Sequence, residues 1–154
     1  MGTCDLSDEH GDDARVVAPI FRHFGGRRAF HGPAVTIQCF EDNARVKETV
    51  ATPGNGRVLV VDGGGSLRCA LLGDLLATQA RDQGWSGVIV FGCVRDSAVL
   101  ATLDLGVMAL AAMPRRSQRK GEGRIGIPID LGGTPCAPGD LVHADEDGIV
   151  LLRP

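Results

Sequence analysis

Tyrosine is absent, and aromatic residues make up only 4% of the 154-residue chain. Surfaces that bind single-stranded nucleic acid stack bases on exposed aromatic rings, so that class of function is disfavoured. A net charge of −3 adds no general attraction for nucleic acid. No stretch approaches the run of about 18 apolar residues that a membrane helix needs. The opening MGTCDLSDEHGDDARV is acidic and polar, without the basic and then apolar segments of a secretion signal. A cytoplasmic protein is therefore expected. No C-x-x-C pair occurs among Cys4, Cys39, Cys69, Cys93 and Cys136, which gives a structural zinc site or a dithiol redox motif no support. These thiols read as reduced, small apolar residues. Lysine is scarce: Lys47 and Lys120 stand alone, neither in an apolar strand, so Schiff-base chemistry has no desolvated amine to use.

What the chain does have is glycine, 22 residues placed between apolar runs, and a hydrophobic content of 44%, enough for one core. Residues 1–154 read as a single domain. Residues 1–13 look like a loose lead-in. Strands are expected at 34–40, 57–62, 87–92 and 106–111 from their β-branched and apolar content. Helices are expected from a cap at Asp42 or Asn43 through Val50, from Asp74 to Gln83 ending at Gly84, and from Ser97 to Leu103. Leu67–Leu72 reads as a helical turn and residues 113–124 as a basic loop. Ile125–Leu131 and Thr134–Leu152 read as β structure, with a turn at Pro138-Gly139-Asp140 and a hairpin turn at Asp145-Glu146-Asp147-Gly148. This order predicts an α/β domain with a mixed sheet and a β-rich C-terminal layer.

Two places put polar groups at the ends of apolar strands, where open α/β sheets bind ligands. At Gly73-Asp74-Leu75-Leu76 a helix starts, and its free N–H groups suit a carboxylate. A plain helix cap is the competing reading of Asp74. Arg95-Asp96 follows strand 87–92. The guanidinium is a planar donor fork for a carboxylate or enolate oxygen, and the carboxylate is a hard ligand for Mg²⁺ or Mn²⁺. A surface ion pair is the competing reading.

The spacing Asp74-x20-Arg95-Asp96 resembles the signature of the class II pyruvate aldolases of the RraA-like family. The likeness extends through Phe24-Gly25-Gly26-Arg27, Cys39-Phe40-Glu41-Asp42-Asn43, Val60 to Ser66, Pro138-Gly139-Asp140 and Ala144 to Gly148. It implies a β/β/α swivelling-domain (phosphohistidine-domain-like) sandwich. It also implies a homotrimer and metal-dependent cleavage of 4-hydroxy-4-methyl-2-oxoglutarate, or a related 4-hydroxy-2-oxo acid, to pyruvate, with oxaloacetate decarboxylation as a side activity. By that resemblance Asp96 anchors the Mg²⁺ or Mn²⁺, and Arg95 contacts the developing oxyanion. Residues Gly73, Asp74, Leu75 and Leu76 seat the substrate, and Asp74 orients a metal-bound water that shuttles the proton. The family's regulator branch implies the alternative of a non-catalytic inhibitor of ribonuclease E. The founding type of that branch lacks the acidic residues that this chain keeps at positions 74 and 96. A menaquinone-pathway methyltransferase, an older label for the family, finds no recognisable S-adenosylmethionine fingerprint after any strand.

Other features stay open. Arg115, Arg116, Arg119, Lys120 and Arg124 form a basic run that reads as a solvated loop, a clamp for a distal carboxylate, or a contact for RNA or an acidic protein. His10, His23, His31 and His143 are not spaced as a metal pair, and His143 reads as packed or surface. Gly63-Gly64-Gly65 lacks the Gly-Lys-Ser/Thr of a phosphate loop and reads as a tight turn.

Overall fold

The computed structural model describes residues 1–154. Its centre is four parallel strands: β3 (Phe30–Gln38), β4 (Val58–Asp62), β6 (Gly87–Val94) and β7 (Gly106–Ala112). A short strand, β5 (Ala70–Leu72), runs parallel to the end of β6. Around them the chain adds β1 (Arg15–Val16), β2 (Arg22–His23), β8 (Arg124–Ile125), β9 (Ile129–Leu131), β10 (Thr134–Cys136), β11 (Leu141–Asp145) and β12 (Gly148–Leu152). Strands β1, β12 and β11 extend the sheet antiparallel beyond β3, and β2 closes the other edge against β7. The helices are α1 (Thr3–His10), α2 (Ala44–Val50), α3 (Asp74–Asp82) and α4 (Ser97–Leu100). None is long and apolar enough to cross a membrane.

Strand periodicity sorts the core into two layers. Successive side chains point to opposite faces. Leu59 and Val61 of β4, Val88 and Val90 of β6 and Val107 of β7 pack with Val46 and Val50 of α2 and Leu76, Ala77 and Ala80 of α3. Their neighbours Val58, Val60, Ile89 and Met108 pack the other way, against Leu131, Val142, Ile149 and Leu151 of the outer strands. Each such Val, Leu or Ile contributes about 1.5–3 kcal/mol relative to leaving it exposed. The result is the expected β/β/α sandwich with a mixed sheet. Phe30 lies flat where Gly87 and Gly106 sit side by side in β6 and β7, and a Cβ on either glycine would collide with its ring.

Three local expectations need correction. Residues 1–13 are not a loose lead-in: α1 is followed by a 3-10 turn, Gly11–Asp13. The first helical residue is tied down by the far end of the chain. The Thr3 N–H and hydroxyl donate to Asp145 Oδ2 and Oδ1 at 2.8 and 2.7 Å, and Leu6 is buried against Val150 and Leu152. Leu67–Leu72 is not a helical turn, because residues 70–72 pair with β6. The helix after Asp96 ends at Leu100, not Leu103.

The five cysteines are free, and four are buried, as expected of small apolar residues. Burial pushes the Cys39 thiol up to about 12 and the Cys136 thiol to about 11. Both stay protonated and unreactive.

Because Asp145 caps α1 through space, Asp145→Ala is expected to cost about 1 kcal/mol. Hydrogen exchange should accelerate across residues 3–10 while the strands keep their protection. Unchanged exchange in α1 would show that the helix stands without this cap.

Candidate active site

Strands β5 and β6 end side by side, and this pairing builds the site. The Arg95 N–H donates to the Leu72 carbonyl at 2.9 Å, which aligns the two strand exits. Beyond Leu72 comes Gly73, then α3; beyond Arg95 comes Asp96, then α4. Asp96 sits in the left-handed region at φ 58°, ψ 42°. Asp tolerates that conformation better than most residues, but at a cost that glycine avoids. The turn aims its carboxylate back at α3, where Asp96 Oδ2 accepts the Asp74 N–H at 3.0 Å. Gly73 lies beneath this contact. A Cβ there would stand 2.8 Å from Asp96 Oδ2 and 3.3 Å from Arg95 Nε, so any side chain would push both groups away.

The first turn of α3 is thus partly occupied. Asp96 takes the Asp74 N–H, and Asp74 Oδ1 accepts the Leu75 N–H at 2.8 Å. The Leu76 N–H has no partner within the protein. The Arg95 guanidinium likewise makes no hydrogen bond or ion pair with protein groups. Both residues line a cavity of about 690 Å³, together with Gly73, Asp74 and Leu75. The structure therefore gathers Gly73, Asp74, Leu75, Leu76 and Arg95 in one place. Asp96 is not itself a wall of that cavity, but its carboxylate accepts the N–H of Asp74, which is. Asp74 is the first residue of α3 and Gly73 is the cap, so the simple capping reading of Asp74 does not describe it.

The opposite wall comes from the basic run. Arg116, Ser117, Gln118, Arg119 and Lys120 line the same cavity, with Asn43 between them and α3. Four cationic side chains face one carboxylate, in a chain whose net charge is −3. Of the readings that the sequence leaves open for the basic run, a clamp for a distal carboxylate is the one that puts Arg116, Arg119 and Lys120 at such a cavity; Ser117 and Gln118 carry no signal of their own, and Asn43 stands in the sequence as a helix cap and as part of the family likeness. The run's position directly after β7, at the same end of the sheet as Arg95, was the available signal. One of these residues is a lysine, Lys120. It is exposed, the opposite of the desolvated amine that Schiff-base chemistry needs.

The basic segment is strapped down. The Ala70 N–H donates to the Arg115 carbonyl, Gln118 N–H to Glu41, and Asn43 N–H to Gln118. Asp42, 2% exposed, accepts N–H groups from Ala44, Lys120 and Glu122 at 2.9, 2.8 and 3.3 Å. Burial works against charge on Asp42, but these three donors and Arg45 hold its carboxyl below the usual range. His143 stacks on His31 across β11 and β3, ring centroids 5.5 Å apart; burial and then His31 push its pKa down. Neither histidine lines the cavity.

The family model for RraA-like proteins, described as Aldolase/RraA, matches residues 3–151. A relative from Alkalilimnicola ehrlichii, named "Putative 4-hydroxy-4-methyl-2-oxoglutarate aldolase", is 56% identical over 98% of this chain and 94% of its own length. Among solved structures, the "RNA-processing inhibitor RraA" from Thermus thermophilis is 44% identical with a TM-score of 0.96, over 99% of this chain and 93% of that one. A protein from Geobacillus kaustophilus HTA426, described as "S-adenosylmethionine: 2-dimethylmenaquinone methyltransferase", is also 44% identical, with a TM-score of 0.97 over 99% and 95%.

Asp42→Asn keeps one acceptor but sets an N–H₂ group against two backbone donors. It is expected to destabilise by about 1–3 kcal/mol in urea unfolding at pH 7. The wild-type carboxyl is depressed on folding, so its advantage is full above the unfolded value near 4. It shrinks as pH falls through the lower folded value. An advantage that grows on acidification would contradict this role.

Proposed function

We propose that this chain, which belongs to the RraA-like family, is a divalent-metal-dependent aldolase cleaving 4-hydroxy-4-methyl-2-oxoglutarate or a related 4-hydroxy-2-oxo acid to pyruvate. The observation that carries the reading is one cationic cavity lined by two unpartnered donors, the Arg95 guanidinium and the Leu76 N–H, with Asp74 in the same lining and Asp96 touching its wall. The relatives' names point to an aldolase, an RNA-processing inhibitor and a methyltransferase, so a name alone does not choose; the chemistry of the site favours the first.

Retro-aldol cleavage breaks the bond between C3 and C4. The C4 hydroxyl loses its proton as a carbonyl forms there, and the electron pair moves to give an enolate on the C2 oxygen. Protonation at C3 then yields pyruvate. Arg95 donates to the C2 oxygen as it becomes charged, where a fixed cation is most effective. The Leu76 amide, at the positive end of α3, receives the C1 carboxylate. Asp74, through a water, takes the hydroxyl proton and returns one to C3. Loss of CO₂ from oxaloacetate leaves the same enolate, which accounts for decarboxylation as a side activity.

The residues fit a metal of the Mg²⁺ or Mn²⁺ kind. No group of three or more His, Cys, Asp and Glu forms a cage. Asp96 keeps Oδ1 free while Oδ2 takes one backbone N–H. One protein carboxylate, with water and substrate oxygens completing the shell, is an ordinary arrangement for Mg²⁺. When bound there, the cation supplies Lewis-acid stabilisation of the enolate charge. Leu75, 81% exposed beside the cavity, and the exposed Val99 of α4 support a homotrimer in which a neighbouring copy covers them. The Thermus likeness favours a second reading, inhibition of ribonuclease E by direct binding.

Pyruvate release from 4-hydroxy-4-methyl-2-oxoglutarate is expected with Mg²⁺ and not with EDTA. Asp96→Asn preserves an acceptor for the Asp74 N–H but removes the anionic ligand, so it should fold normally and lose activity. Arg95→Ala should lower kcat by about 10²–10³. No release by the wild type from this substrate or from oxaloacetate would overturn the lyase reading. Co-purification with ribonuclease E would then favour the regulator.

A further inference from the structure

We infer that His31 and His143 form an acid-sensitive latch, which releases the N-terminal helix α1 from the sheet when both imidazoles carry a proton. The latch lies outside the cavity, so the inference does not rest on the aldolase reading. Strand alternation sets its place. Val142 and Ala144 of β11 point into the inner core, so Leu141, His143 and Asp145 point to the other face. On that face Leu141 and Val150 pack with Leu6 of α1, and Val150 stands directly across the ladder from His143. Asp145, two residues along, accepts the Thr3 N–H and hydroxyl. His143 thus occupies the surface on which α1 rests. Across the opposite edge of β11, His31 of β3 is its register partner, and the two rings stack 5.5 Å apart at an interplanar angle of 9°.

The titratable groups around His143 all oppose a proton on it. β3 presents His31, α1 presents His10 and the chain's amino terminus, and β12 presents Val150, which carries no charge. The Asp145 carboxylate is committed to Thr3 and to the Asp147 N–H, and neither it nor Asp5, Asp8 or Glu9 of α1 is among the groups that act on the ring. Burial and then His31 push the His143 pKa down, followed by the amino terminus and His10. Like charges directly opposite in a strand pair are destabilising, and burial keeps water from solvating one of them. A folded-state value below the unfolded one means that the folded protein binds fewer protons, so stability rises with pH. The contribution of His143 is full above the unfolded value of about 6.5 and is lost as pH falls through the lower folded value. The opening is local. Helix α1 has eight residues, and a helix that short is marginal without its packing. Lifting it wets His143, removes His10 and the amino terminus, and uncovers Leu141, Val150 and Leu152, while β3 and β11 keep their ladder.

The test is hydrogen exchange by mass spectrometry on the full chain, at about pH 7.5 and about pH 5, with rates corrected for the pH dependence of exchange itself. In wild type, residues 3–10 should lose protection about 2- to 5-fold on acidification relative to β4 and β6. The window separates the latch from the helix cap. Burial works against charge on Asp145, but its Thr3, Asp147 and Gly148 donors hold its carboxyl below the usual range, so the cap stays charged throughout. His143→Gln, neutral at every pH, should abolish the acid loss. His31→Gln, at an exposed position, should shrink it by removing the stacked partner. The ratio of protection at the two pH values is compared within each variant, so a variant that loosens α1 at both still reads the latch. Protection of α1 that stays constant in wild type, or an acid loss that persists in full in either variant, overturns it.

Discussion

The hydrogen bond from the Asp74 N–H to Asp96 Oδ2 ties the start of α3 to the turn after β6, beyond the point where the Arg95 N–H to Leu72 carbonyl bond aligns the two strands. The α3 side of the cavity depends on that junction. It fixes where α3 begins, and so where the free Leu76 N–H points. It holds Asp96 in its left-handed turn, which in turn sets Arg95 over Gly73. The junction exists because β5 and β6 end level with each other, Leu72 beside Val94, and because residue 73 has no side chain to separate them. A carboxylate used in this way does two jobs. It satisfies one of the orphan donors at a helix start, and it keeps an oxygen available on the side away from the helix.

The electrostatic design opposes the chain's overall charge. A protein of net −3 repels small anions weakly at long range, yet this cavity collects Arg95, Arg116, Arg119 and Lys120 around one aspartate. Cations gathered in one cleft raise the local concentration of anionic ligands. Two strongly held acidic residues, Asp42 and Asp96, serve the architecture at the edges of that field. Asp42 is sequestered by backbone donors and does not neutralise the cations it positions.

Much of this was legible in the chain. Long buried strands such as Val58–Val61 announce themselves by continuous apolar residues, and α3 by its spacing and the glycine after it. The site at Gly73 and Arg95-Asp96 was visible as polar groups at strand ends. Three elements were not legible, each for the same physical reason. Cys69-Ala70-Leu71-Leu72 has no preference that separates strand from helix, and only its partner β6 decides. The N-terminal segment is polar, and α1 exists because Asp145, far along the chain, supplies its cap. The basic run carries no periodicity, and its order comes from Asp42 and Asn43, about 76 positions away. Local sequence fixes neither end of such contacts.

The names borne by similar structures describe quite different activities on one backbone. A TM-score of 0.96 to 0.97 means that the sandwich itself cannot distinguish them. What can differ is the decoration of a single corner: whether the residue after Gly73 and the residue after Arg95 carry carboxylates, and whether the opposite wall carries cations. Neither carboxylate belongs to the hydrophobic core, although Leu72, Leu76, Ala77 and Val94 close by do. The groups that line the cavity and the side chains that pack the core are thus largely different residues, and a scaffold so divided can carry different site chemistries.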